Sequence, residues 1–122
     1  APAILDPGTK PLATVMTEFR DLVTRARAGR LRASELAAPT IILTSLGDDA
    51  PIDAVLPIIQ PPQVAIVGAG AVLDRPAVVD GAVVPRRTVT LALAADHRVT
   101  DGRLGAQFLA RIIAHLGQPA AL

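Results

Sequence analysis

Apolar residues recur along this chain in two rhythms, and each predicts a different element. Leu12, Val15, Met16, Phe19, Leu22, Val23 and Ala26 return at three- and four-residue steps, which is one face of an amphipathic helix. Pro11 suits its first turn and Gly29 its C-terminal stop. Leu104, Phe108, Leu109, Ile112, Ile113 and Leu116 repeat the rhythm near the other end and predict a helix over 102–116. Between these helices the pattern turns strand-like. Residues 40–46 read as a strand ending at Gly47-Asp48-Asp49, and 64–67 as a buried strand. Residues 88–95 read as a last strand in which Val89, Leu91, Leu93 and Ala95 alternate with smaller or polar residues. Asp80-Gly81 between Ala77-Val78-Val79 and Ala82-Val83-Val84 is a hairpin signal. Residues 1–10 are extended and punctuated by Pro and Gly, and 33–37 add a helical turn. Helices at the ends with strands between predict a mixed chain, α+β or a related sandwich.

Composition narrows what such a chain does. At 122 residues it has room for one small domain with a core. It is 51% hydrophobic, yet its only aromatics are Phe19 and Phe108, so Ala, Val, Leu and Ile must build that core. A formal charge of +1 argues against nucleic-acid or membrane-surface binding, which need clustered basic residues. Glu18, Arg20, Asp21, Arg25 and Arg27 on the first helix read as a solvated face. Without cysteine there is no disulfide or thiol nucleophile, which fits a cytoplasmic protein. No signal-peptide pattern opens the chain. The uncharged run 54–73 is long enough to span a bilayer, but Pro57, Pro61, Pro62, Gly68 and Gly70 would break a helix there, so it reads as loop plus buried strand. A soluble protein is expected.

Candidate chemistry concentrates at Asp96-His97-Arg98-Val99-Thr100-Asp101-Gly102. This stretch joins the last strand to the last helix and so holds a histidine at a scaffold end beside two carboxylates and a permissive glycine. A neutral imidazole there is suited to take a proton from a thiol or hydroxyl. The same sequence is equally compatible with a buried, hydrogen-bonded histidine of no chemical role. Other candidates are weaker. Gly68-Ala69-Gly70 after an apolar strand resembles the start of a dinucleotide-binding turn, but Leu73 occupies the third-glycine position. Those glycines read instead as relief for a tightly packed strand. Neither Ser34 nor Ser45 lies in a nucleophile elbow. His97 and Asp101 are spaced to share a metal, but His115, the only other histidine, lies near the end of the last helix, where it suits the helix dipole. No metal is expected.

Asp-His-Arg-Val-Thr-Asp-Gly also resembles the Asp-His-Arg-x-x-Asp-Gly signature of the dihydrolipoamide acyltransferases, the catalytic cores of 2-oxo acid dehydrogenase complexes. The segment Thr40-Ile41-Ile42-Leu43-Thr44-Ser45-Leu46-Gly47 is similar to the family's Thr-Phe-Thr-Ile-Ser-Asn-Leu-Gly strand. Pro57-Ile58-Ile59-Gln60-Pro61-Pro62-Gln63 resembles its Pro-Ile-Ile-Asn-Pro-Pro-Gln segment, and 75–93 its hairpin and final strand. The resemblance runs almost end to end. It implies an α/β, two-layer chloramphenicol-acetyltransferase-like sandwich, with residues 1–122 as the C-terminal half of the catalytic domain. It further implies acyl transfer between a coenzyme A thioester and a thiol or hydroxyl acceptor. The acceptor is dihydrolipoamide or, in a stand-alone biosynthetic role, a small-molecule hydroxyl.

Within that resemblance His97 matches the general base, Thr44 the hydroxyl that hydrogen-bonds the oxyanion, and Asp101 an aspartate that orients the site. Asp96 and Arg98 help fix the loop, and Gly102 allows it to pack closely. The departures are Ser45, where the family often has Asn, and Asp48-Asp49, which replace a small loop. The N-terminal half of the domain, the lipoyl domain and the subunit-binding domain have no counterpart here, so no lipoyl attachment is expected. Pro2-Ala3-Ile4-Leu5-Asp6 is similar to the interior of a family strand, and a chain that starts there exposes an unpaired edge. The family's site lies between subunits of a trimer, His from one and Ser/Thr from its neighbour. The expected assembly is therefore a homotrimer, or a hetero-assembly with a chain supplying the N-terminal half. A non-catalytic subunit completing a split acyltransferase core is the alternative reading.

Overall fold

The computed structural model describes residues 1–37, 39–47 and 50–121, which fall into two compact units, Ala1–Thr40 with His115–Leu122, and Ile41–Ala114. The departure at Asp48-Asp49 lies outside the described residues.

In the first unit, helix α1 spans Leu12–Arg27, with Pro11 at its N-cap. It ends as a Schellman turn. The Arg30 N–H donates to the Arg25 carbonyl at 2.8 Å and the Gly29 N–H to the Ala26 carbonyl at 3.1 Å, with Gly29 at φ +66°. Helix α2 follows at Ala33–Ala37. The charged face of α1 is less solvated than its sequence suggests. Arg25 forms a two-pronged pair with Glu35, Nη1 to Oε2 at 2.7 Å and Nη2 to Oε1 at 2.6 Å, and also holds Asp21. Glu35 is buried and also accepts the Arg32 N–H, so Arg25 holds its carboxyl down to about 2. Residues 2–6 form no strand; the Ala3 N–H donates to the Glu35 carbonyl, and a 3-10 turn follows at Pro7–Thr9. Pro2 and Pro7 have no N–H for a ladder, which limits pairing along this segment.

The second unit is built on a three-stranded sheet in the order β1-β2-β5: β1 is Ile41–Ser45, β2 Ala65–Ala69 and β5 Leu91–Ala95. Strands β1 and β2 run parallel, and β5 is antiparallel to β2. The central strand supplies the buried Ala65, Ile66 and Val67. The Asp80-Gly81 signal forms its hairpin, β3 at Leu73–Val79 and β4 at Ala82–Thr88, with positive φ at both turn residues, as a type I′ turn requires. The single strand expected over 88–95 is in fact split. Thr88 closes the hairpin opposite Leu73, and the chain breaks at Val89-Thr90 before β5 begins. There the Thr90 carbonyl accepts the Gly70 N–H, and the Arg75 guanidinium donates to the Thr90 hydroxyl.

Helix α3, Gly102–Gly117, packs on the sheet face that carries Ile41, Ala65, Leu93 and Ala95. A Cβ at Gly105 would lie 3.2 Å from Leu93 Cδ2, and an apolar cavity of about 260 Å³ remains beside Phe108. The opposite face carries Ile42, Thr44, Ile66, Gly68, Ala92 and Ala94. Residues 52–57 cross it. An added Cβ at Gly68 would lie 2.5 Å from the Val55 carbonyl oxygen, and one at Gly70 would collide with that of Asp53. The two glycines give up side chains to a crossing backbone and open no helix, so they form no dinucleotide turn.

Candidate active site

The turn after β5 is organised by Asp96. Its N–H donates to the Val64 carbonyl at 2.8 Å, which ties the turn to the residue before β2. Its own carbonyl accepts the Val99 N–H at 2.9 Å and the Thr100 N–H at 3.1 Å. Its carboxylate accepts the Arg98 N–H at 2.9 Å and the Arg98 guanidinium, Nη2 to Oδ2 at 2.7 Å. Arg98 therefore holds the Asp96 carboxyl down to about 2. The second carboxylate caps α3, with the Leu104 N–H donating to Asp101 Oδ1 at 2.8 Å. Both acids are thus engaged by the backbone on either side of His97, whose ring is exposed. Apart from its chain neighbours and its own helix backbone, none of the described residues comes within 4 Å of a Cβ added at Gly102, so the close approach expected there is not made among them.

Thr44 is half-buried at the edge of the sheet, in register with Gly68 and Ala92. Among the described residues its hydroxyl takes part in no hydrogen bond, whereas the adjacent Ser45 Oγ accepts the Gly47 N–H at 3.2 Å and helps close the strand. His97 follows Ala95, which lies in the row of Ala65 and Ile41 at the other end of the sheet. At roughly 3.3 Å per strand residue, Thr44 and His97 are on the order of 15 Å apart along the strand direction. The structure brings Asp96, His97 and Asp101 into one turn and leaves Thr44 at the far end. Ser34 lies on α2, and among the described residues no three His, Cys, Asp or Glu side chains converge as a metal site. No helix among those residues is long and apolar enough to cross a membrane. His115 is exposed in the last turn of α3.

The sequence reading missed the crossing of residues 52–57 and the ion pair that holds it, Arg75 to Asp53. The glycine spacing carried a signal: Gly68 in β2 and Gly70 just past its end, two apart in extended chain, bare the same face.

This fold, a mixed sheet backed by α3 with the histidine turn at its end, is that of acyltransferase catalytic cores. Over 98% of its length it superposes with a TM-score of 0.84 on the Azotobacter vinelandii dihydrolipoamide acetyltransferase, at 32% identity, covering 49% of that chain. It matches the cubic core of a pyruvate dehydrogenase multienzyme complex with a TM-score of 0.79 at 34% identity, over 92% of its own length and 46% of that chain. The chain belongs to the 2-oxoacid dehydrogenase acyltransferase (catalytic domain) family, whose model matches residues 1–122. One relative is the lipoamide acyltransferase component of the branched-chain alpha-keto acid dehydrogenase complex of Pseudomonas putida. The two are 40% identical over 105 residues, 86% of this chain and 25% of that protein. The chain thus spans about a quarter of such relatives and half of the solved cores.

Proposed function

We propose that this chain supplies the histidine and the hydroxyl of an acyltransferase site that is completed between subunits. Coenzyme A thioester and a thiol or hydroxyl acceptor enter as substrates. His97 takes the acceptor proton as the acceptor attacks the thioester carbonyl, and Thr44 donates a hydrogen bond to the resulting oxyanion. Collapse breaks the carbon–sulfur bond, and the proton on His97 passes to the coenzyme A thiolate. Asp101 positions the turn by capping α3 and needs no proton of its own.

The observation that carries this reading is the placement of an exposed His97, on a turn fixed by Asp96 and Asp101, at the opposite end of the sheet from a free Thr44 hydroxyl. Two such halves make one site when the histidine end of one copy meets the threonine end of the next, a head-to-tail contact that can close into a ring. The Azotobacter vinelandii relative has been studied for the role of a serine, a histidine and an asparagine in its catalytic mechanism, the last two four positions apart. Thr44, His97 and Asp101 are the counterparts here: threonine keeps the hydroxyl, and aspartate keeps the cap while losing an amide donor. A trimer, as a homotrimer or with a partner chain, is the assembly proposed, in a cytoplasmic setting.

The test is acyl transfer from acetyl-, succinyl- and isobutyryl-coenzyme A to dihydrolipoamide and to small-molecule alcohols, using the assembled full-length protein. Transfer to any acceptor supports the reading, and the preferred acceptor separates a dehydrogenase-complex role from a biosynthetic one. A correctly assembled wild type that transfers nothing favours the non-catalytic assembly subunit.

A further inference from the structure

Residues 52–57 have no regular secondary structure, yet they are fastened at two points. The Ala71 N–H donates to the Ile52 carbonyl at 2.8 Å, and Asp53 pairs with Arg75, whose Nη1 also reaches the Thr90 hydroxyl at 3.3 Å. Val55 and Pro57 face the sheet and are half-buried, while Leu56 is 83% exposed. The seat for this segment is the bare backbone of Gly68 and Gly70. At Gly68 an added Cβ would stand 3.2 Å from both Pro57 Cδ and Val55 Cβ, besides the 2.5 Å to the Val55 oxygen.

Gly68 is also the register partner of Thr44, one strand away at about 4.8 Å and on the same face. Among the described residues strand β1 is an edge with β2 as its only strand neighbour, and whatever covers Gly68 stands beside the Thr44 side chain. Threonine χ1 has few wells, and a wall on one side selects among them. The same wall keeps water from a hydrogen bond that is worth most in a dry site. We propose that Gly68 and Gly70 are positioning residues for Thr44, acting through the 52–57 segment that they let lie flat against the sheet. This rests on the reading of Thr44 as the oxyanion donor.

A double-mutant cycle on the full-length assembly tests it. Gly68→Ala forces the Val55 carbonyl away and should lower kcat by roughly 10- to 100-fold with little change in KM. In a Thr44→Ala background the same change should cost less than about twofold, because the interaction it disturbs is already gone. Asp53→Ala, at an exposed position, keeps the cycle usable if Gly68→Ala does not assemble. It should raise deuterium exchange across 52–57 and show the same dependence on Thr44. Multiplicative losses in the double variants, or a fully active assembled Gly68→Ala protein, overturn the proposal while leaving the role of Thr44 intact. A normal rate for Thr44→Ala alone overturns that role and this inference with it.

Discussion

At the scale of single residues, groups proposed to act on substrate differ in their expected behaviour from groups that hold them in place. Thr44→Ser keeps a hydroxyl and should retain most of the rate, whereas Thr44→Ala should lose about 10²–10³ in kcat. Steady-state kinetics on both variants checks this, and equal rates would move the oxyanion role elsewhere. Asp96 is a holding group, and its contribution has a definite pH window. Arg98 lowers its carboxyl from the ordinary 3.8 to about 2. A carboxylate depressed by folding stabilises the folded state above its ordinary value and loses that contribution as pH falls through the lowered one. The His97 turn should therefore be held from neutrality down to about pH 4 and loosen between roughly pH 4 and 2. Exchange of the Val99 and Thr100 amides, both bonded to the Asp96 carbonyl, reports it directly. Asp96→Asn should bring faster exchange at neutral pH, and unchanged protection would show that the ion pair does not hold the turn.

At the scale of elements, the hairpin gives the cleanest test of local sequence chemistry. Gly81 sits at φ +80° with open space where a Cβ would go, so only backbone strain opposes a side chain there. Gly81→Ala should cost about 1–2 kcal/mol in urea unfolding, with no change in pairing. The hairpin was legible because Asp-Gly between two apolar runs leaves it few alternatives. Both long helices were legible for a similar reason, since their apolar stripes and the Gly29 stop are local features. The split at Val89-Thr90 was not, because alternation continues across it and the break is made by distant partners, Gly70 and Arg75. Likewise, nothing local in residues 52–57 announces a path across Gly68. The sequence showed that the histidine turn joins strand to helix. That the Asp96 carboxylate is taken up by Arg98 and the Asp101 carboxylate by the helix end depends on side-chain placement that no local pattern announces.

At the scale of the whole molecule, the apolar residues left exposed are the surface on which the proposed assembly would form. Leu43 is 73% exposed, and Val78 and Val83 are similarly open. Aliphatic side chains in such numbers on strands, an edge strand included, are what subunit interfaces cover. The full-length protein should accordingly appear in native mass spectrometry as a threefold assembly, and a stable folded monomer would contradict this. In the proposed assembly one active site takes His97 from one chain and Thr44 from another. Co-assembly of Thr44→Ala chains with His97→Ala chains tests it most directly. Each parent alone should fall at least about 10²-fold below wild type. In an equal mixture roughly a quarter of the interfaces pair an intact His97 with an intact Thr44, so the mixed assembly should recover about that fraction of wild-type acyl transfer. Mixed assemblies that form in full yet stay as inactive as their parents would contradict the account.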